Sequence, residues 1–320
     1  MRSHMFWRNW VETMRHRNVS KSTRKLLKTQ RAAVGDKLLS DIFRKRLFSL
    51  KAAVYILVIC TCGLAFLHTG SYLSNWLSCS TAYAGEAEAW LLQGNDYVQR
   101  GDLEGAVECY SKAIELKPEY VDAWNSKGNA FYGLKKYDEA IKCYDKAIGI
   151  DPRYAFAWNG KGNVVDSLGR HEEALKFYDK AIEIDPVYSH AWYNKGQVLE
   201  SLNRYKEALE CYDKALEFDP GNATIWYDQG NIYIQLKDYA SALVCYDRAL
   251  TINPMFAAAW NNKGAALTGL GRYEDAIESY DKALDISPDD KSAWQNKGVV
   301  LEKLGRHEEA DECFRRSMSE

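Results

Sequence analysis

The stretch AFAWNGKGNVVDSLGRHEEALKFYDKAIEIDPVY, Ala155 to Tyr188, sets the architecture of the chain. Trp158, Gly162 and Val165 fall at i, i+4 and i+7, the spacing of one face of an α-helix. Ala174, Tyr178 and Ala181 repeat that spacing in a second run. Between the runs lies Ser167-Leu168-Gly169-Arg170, with Gly169 where a terminating helix calls for a left-handed residue. The stretch predicts a helix, a tight turn and a helix.

Shifted by 34 residues, the pattern recurs. Trp90, Trp124, Trp158, Trp192, Trp226, Trp260 and Trp294 keep that interval, as do Gly94, Gly128, Gly162, Gly196, Gly230, Gly264 and Gly298. All six prolines, Pro118, Pro152, Pro186, Pro220, Pro254 and Pro288, share one phase of it. A fixed period of this length means a solenoid in which each unit meets mainly its neighbours. Glycine inside a helix costs about 1 kcal/mol relative to alanine, so its recurrence calls for a reason, and close backbone approach where the paired helices cross supplies one. The proline falls in the turn between units, where its missing N–H does least harm.

The pattern resembles the tetratricopeptide repeat (TPR). Seven units match, 87–120, 121–154, 155–188, 189–222, 223–256, 257–290 and 291–320. The resemblance implies an all-α, right-handed superhelical solenoid of helix-turn-helix repeats that holds other proteins. The seventh unit has Asp311 where the others have Val107, Ile141, Leu175, Leu209, Leu243 and Ile277, and Ser317 where they have alanine. Polar replacement is how a terminal unit avoids exposing an unpaired apolar face, so the array reads as self-capped.

The net charge of −2 conceals three regions. Residues 1–51 carry 14 Lys/Arg against 3 Asp/Glu, and residues 86–320 carry 28 against 41. The segment between has no Lys, Arg, Asp or Glu. The basic head reads as a partly disordered tail or as an amphipathic helix on anionic headgroups. No DNA- or RNA-reading motif accompanies it, so no nucleic-acid partner is expected.

Residues 52–72 are long and apolar enough to be a single transmembrane helix, followed by a linker over 73–86. Arg44-Lys45-Arg46 on its N-terminal side puts the N-terminus in the cytoplasm and the array on the opposite side of the membrane. The rival reading is a cleaved signal sequence, because Ala82-Tyr83-Ala84 resembles a cleavage site, though it lies far beyond the apolar run.

Cysteine usage pulls the other way. Cys109, Cys143, Cys211, Cys245 and Cys313 occupy one position of five units. Successive units stack roughly 10 Å apart, beyond the Cα separation of about 7 Å that a disulfide tolerates. Free thiols are expected, and five of them are unusual outside a reducing compartment. Ligands spread along a solenoid cannot converge on one ion, so no metal site is expected.

The first helix of each unit should line a concave face. Positions five after the tryptophan are Asn95, Asn129, Asn163, Gln197, Asn231, Ala265 and Val299. Positions one after it are Leu91, Asn125, Asn159, Tyr193, Tyr227, Asn261 and Gln295. Both sets are expected to point away from the helix-pair core. An amide offers donors and an acceptor, so such a ladder can grip an extended main chain without reading its sequence. In the TPR family such asparagines contact bound peptides, and the resemblance implies that role here. The alternative is that the asparagines serve local hydrogen bonding. Tyr132, Phe156, His190, Tyr193 and Tyr227 form a candidate aromatic patch. Lys127, Lys161, Lys195, Lys263 and Lys297, three after the tryptophan, are expected to cover the helix surface with their stems. No unit has the lysine one after the tryptophan with which some TPR domains clamp a C-terminal carboxylate.

No phosphate loop, G-x-S-x-G elbow or H-E-x-x-H pair occurs. The glutamates of the Arg-His-Glu-Glu-Ala turns at His171 and His307 read as helix caps. The sequence therefore points to a non-enzymatic, membrane-anchored TPR scaffold without cofactor or small-molecule substrate. Its partner is a protein segment, with basic segments favoured by the acidic array. The alternative is a soluble or exported TPR subunit that organises an enzyme supplied by another chain.

Overall fold

The computed structural model describes residues 85–318. The basic segment 1–51, the apolar segment 52–72 and the linker up to residue 84 lie outside the described residues. Among the described residues no helix is long and apolar enough to cross a membrane. Fourteen α-helices and no strand are found there, in seven helix-turn-helix pairs. The pairs are α1 (85–99) with α2 (Leu103–Leu116), α3 (Val121–Gly133) with α4 (Tyr137–Ile150), and α5 (Ala155–Ser167) with α6 (His171–Ile184). Then come α7 (Ser189–Ser201) with α8 (Tyr205–Phe218) and α9 (Ala223–Gln235) with α10 (Tyr239–Ile252). The last are α11 (Ala257–Gly269) with α12 (Tyr273–Ile286) and α13 (Lys291–Lys303) with α14 (His307–Met318).

One residue reverses the chain inside each pair. Gly101, Lys135, Gly169, Asn203, Lys237, Gly271 and Gly305 all have φ between +58° and +80°. Glycine adopts this conformation without a Cβ clash, whereas Lys135 and Lys237 carry the strain of an L side chain there. The expected capping by glutamate gives way to another arrangement. Glu173 and Glu309 pair with the side chains of Arg170 and Arg306 at the start of their helices. In this chain the cap residue is itself a cation, so the carboxylate goes to its guanidinium. Asp102 and Asp238 do cap α2 and α10 with their side chains.

Between pairs, the tryptophan and the proline turn out to be bonded to each other. The indole N–H donates to the carbonyl oxygen of the proline six residues before it, in six units from Trp124–Pro118 to Trp294–Pro288, at 2.8–3.3 Å. Asp151, Asp185 and Asn253 accept the N–H two residues on, which holds the turn that the proline enters.

The core of each of the first six pairs is a tyrosine ring laid on a glycine, a place taken by Phe314 in the seventh. Tyr110, Tyr144, Tyr178, Tyr212, Tyr246 and Tyr280 are all but fully buried. A Cβ added to Gly162 would lie 2.6 Å from Cε1 of Tyr178, and Gly128, Gly230 and Gly264 meet Tyr144, Tyr246 and Tyr280 in the same way. The recurring glycine thus makes room for a ring rather than for a second backbone. Ala106, Ala140, Ala174, Ala208, Ala242, Ala276 and Ala310 are fully buried. At the C-terminal end Asp311 is exposed, whereas Leu175 and Ile277 at the equivalent position are buried.

Cys109, Cys143, Cys211, Cys245 and Cys313 are free, buried thiols. Burial pushes Cys143 and Cys211 up to about 11 and Cys245 to about 12. Among the described residues no group of His, Cys, Asp and Glu is arranged to hold a metal ion.

Candidate functional site

The face in question is the row of first helices. α3 packs on α5, α5 on α7, α9 on α11 and α11 on α13, and side chains one and five after a tryptophan can there meet the side chain two after the tryptophan of the next unit.

The positions five after the tryptophan are tied to the core tyrosines. The hydroxyls of Tyr110, Tyr144, Tyr178 and Tyr246 donate to Oδ1 of Asn95, Asn129, Asn163 and Asn231 at 2.7–2.9 Å. Each amide is thereby held with its oxygen engaged. Asn95 and Asn129 are exposed, and Asn163 and Asn231 are half-buried. Burial of the ring holds each phenol in its neutral, donating form, and pushes Tyr110 up to about 12.

Where the acceptor changes, the tyrosine finds another. Gln197 is one methylene too long, and Tyr212 donates instead to Glu200 Oε2 at 2.7 Å. Ala265 offers nothing, and Tyr280 pairs with the Thr268 hydroxyl at 3.3 Å. In the seventh unit Val299 stands at the acceptor position, and the ring is Phe314, which needs no partner.

Two of the positions one after the tryptophan depart from expectation. Asn125 and Asn159 are buried, at 9% and 7% exposure. The first helices of successive units close over them, so these side chains serve the boundary between units rather than an open face. Asn159 Oδ1 accepts from Asn194 of the next unit at 3.0 Å, and its Nδ2 reaches the Tyr188 hydroxyl at 3.4 Å. Asn261 Oδ1 accepts from Asn296 at 3.1 Å. Asn125 Oδ1 has no partner, because Gly160 stands where Asn194 stands in the next unit. Tyr193 and Tyr227 are half-buried, with ring centroids 5.8 and 6.0 Å from Tyr212 and Tyr246.

Sequence reading missed the donors in these rungs, the residues two after the tryptophan. Asn194 also donates to Asn163 Oδ1 at 3.0 Å. Asn262 donates to the Tyr227 hydroxyl at 3.1 Å and to Asn231 Oδ1 at 2.8 Å. In the fifth unit the residue is Asp228, which accepts from the Tyr193 hydroxyl at 2.7 Å, while Gln197 donates to that same hydroxyl at 2.8 Å. The signal was present, since asparagine recurs at this position in three units.

The lysines do more than cover the surface. Lys161, Lys195, Lys263 and Lys297 pair with Asp145, Asp179, Asp247 and Asp281 on the preceding second helix at 2.5–2.7 Å. Lys127 lies over the Trp124 and Phe131 rings instead. The aromatics divide into separate groups. Phe156, 47% exposed, packs between Tyr154 and Tyr188, and His190 continues the row. Tyr132 lies apart, against Tyr137.

Comparison with known proteins fits this geometry. A family signature described as "TPR repeat" matches residues 94–135. Signatures described as "Tetratricopeptide repeat" match 121–154, 155–188 and 189–222, then 227–291 and 267–318. The chain belongs to the tetratricopeptide-repeat family. No curated protein matches this TPR chain. Among solved structures it is similar to YrrB, described as a TPR protein with an unusual peptide-binding site, with 27% identity and a TM-score of 0.50 over 62% of this chain and 100% of that one. It is also similar to PilF of Pseudomonas aeruginosa, with 20% identity and a TM-score of 0.59 over 70% and 99%. A third is a tetratricopeptide repeat protein of Parabacteroides merdae, with 17% identity and a TM-score of 0.52 over 73% and 100%. The last two speak to the TPR fold alone.

Proposed function

We propose that the TPR array is a protein-interaction scaffold that holds an extended segment of a partner against its first helices. The observation that carries this reading is the set of amides at Asn95, Asn129, Asn163 and Asn231. Each has its oxygen engaged by a buried tyrosine, which leaves the Nδ2 hydrogens to be offered once per repeat in the first three units and again in the fifth. Fixed donors of this kind suit main-chain carbonyls, and a preset orientation lowers the ordering cost of binding. The peptide-binding site in the description of YrrB supports the same reading by similarity.

Site-specific photo-crosslinking tests it. A photoreactive residue at Asn129 or Asn231 in the full-length protein should yield a discrete adduct with a partner in cells, and one at exposed Lys180 on a second helix should not. Equal adducts from both faces, or none from the first helices, would overturn the proposal.

The scaffold is further proposed to be anchored by residues 52–72, with the basic head in the cytoplasm and the array on the other side. The support is the apolar run and the Arg44-Lys45-Arg46 flank. Extraction of the protein from membranes by carbonate, without detergent, would count against the anchor. The partner is expected to present basic segments to the acidic array, with binding that weakens as salt rises.

A further inference from the structure

The boundary between the fourth and fifth units combines departures that the other five do not share as a set. The turn aromatic of Tyr120, Tyr154, Tyr188 and Phe256 is replaced by Asn222 here, as it is by Asp290 between the sixth and seventh units. The stapling lysine is replaced by Gln229, which makes a neutral bond to Asp213 at 2.7 Å. The indole–proline bond, Trp226 to Pro220, is 3.3 Å, against 2.8–3.0 Å in the other units. α8 packs on α9 less extensively than any other second helix packs on the first helix after it, and α7 lacks the close approach to α9 that first helices make elsewhere.

What spans this boundary on the first-helix side is the bond from the Tyr193 hydroxyl to Asp228 Oδ2. Elsewhere the equivalent rung, where one forms, is neutral, amide to amide or amide to hydroxyl. The titratable groups that bear on Asp228 are Tyr193 and Glu200 from α7, Tyr212 from α8 and Tyr246 from α10. From α11, which also packs on α9, the neutral Asn262 amide bonds Tyr227 and Asn231 rather than Asp228. None of these is a cation. An ionised Asp228 is therefore desolvated beside a second carboxylate with nothing opposite in sign to offset it.

The geometry points to a proton-controlled joint in the solenoid: the boundary between α7 and α9 closes when Asp228 is protonated and loosens when it is ionised. Protonation removes the desolvation and the repulsion from Glu200 while leaving a hydroxyl partner in place; ionisation is relieved by opening the boundary to water. The direction follows from burial, which raises the Asp228 carboxyl to about 6, against the Tyr193 bond, which works to lower it. A carboxyl raised in the closed form favours closure below its open-state value of about 4, and that gain is lost as the pH climbs through about 6. Burial raises Glu200 as well, so it acts in the same direction. The joint operates whether or not the first helices hold a partner.

Hydrogen exchange of the full-length protein, corrected for intrinsic rates, reads the joint directly. Between pH 7.5 and 5.0, protection of residues 219–235 should rise about tenfold relative to residues 151–167 at the boundary of the second and third units. Asp228→Asn should lose most of the response and stay near the acid level of protection at both pH values, with Glu200 supplying the remainder. Tyr193→Phe, which removes the bond that favours the ionised form, should keep the response and move its midpoint to higher pH. A change shared equally by all boundaries, a wild-type response in Asp228→Asn, or an unmoved midpoint in Tyr193→Phe would each overturn the joint.

Discussion

Gly162 and Tyr178 show how one pair of residues fixes both the core and the face above it. The ring occupies the space of the missing Cβ, and its hydroxyl reaches past the backbone to Asn163. Gly162→Ala would force the ring or the helix to move, at a cost of about 1–3 kcal/mol. Chemical denaturation should report this as a lower midpoint, since the rigid wall here is a fully packed aromatic rather than a flexible chain end. Tyr178→Phe keeps the packing and removes the donor, so about 1 kcal/mol should be lost. The same change should free the Asn163 amide and weaken crosslinking through that position. Phe314 is the internal control. Opposite Val299 no acceptor stands at the equivalent position, so Phe314→Tyr should bring no comparable gain in stability.

Each helix pair depends on a single left-handed residue, and three of the seven are not glycine. Lys237→Gly should stabilise the protein by about 0.5–1 kcal/mol, because the strain of an L residue at positive φ exceeds the added freedom of glycine in the unfolded chain. Asn203→Gly should give less, since asparagine tolerates this conformation and its Oδ1 also accepts from the Tyr205 hydroxyl at 2.8 Å. Thermal unfolding of the two variants side by side checks the order. At this scale the sequence was readable. Period, turn position and the apolar stripes follow from residues within one unit, where spacing alone places Trp158, Gly162 and Tyr178. Relations between units were not readable. The rungs from Asn194 to Asn159 and from Tyr193 to Asp228, and the pairing of Lys161 with Asp145, depend on how one pair leans on the next. A residue two after the tryptophan looks lateral on an isolated helix, and only the stacked neighbour turns it into a contact.

For the molecule as a whole, the proposed membrane orientation and the thiol content point to different compartments, and burial of the thiols removes the conflict. The thiols of the array are packed beside the core tyrosines, and Cys143, Cys211 and Cys245 are pushed to about 11–12 by desolvation. An ordinary thiol near 8.5 is partly ionised at pH 8, whereas one near 11 is about a hundredfold less so. Buried thiols of this kind resist oxidation wherever the array resides, which weakens the inference from cysteine count to a reducing compartment. In the native protein at pH 8 these thiols should therefore react with a small disulfide reagent far more slowly than in denaturant. Fast reaction of all five in the folded state would refute the burial argument. The sign at high pH follows too. A thiol raised in the folded state favours folding below its unfolded value and loses that contribution as the pH rises, so array stability should decline from about pH 9 towards 11. The silence of the native thiols also makes a topology measurement feasible. With Cys60, Cys62 and Cys79 replaced, a cysteine introduced at exposed Lys146 becomes the one readily labelled site. A membrane-impermeant reagent should reach it in intact cells if the array lies outside the cytoplasm. Labelling only after lysis would place the array on the same side as the basic head, and the charge-based orientation would fall.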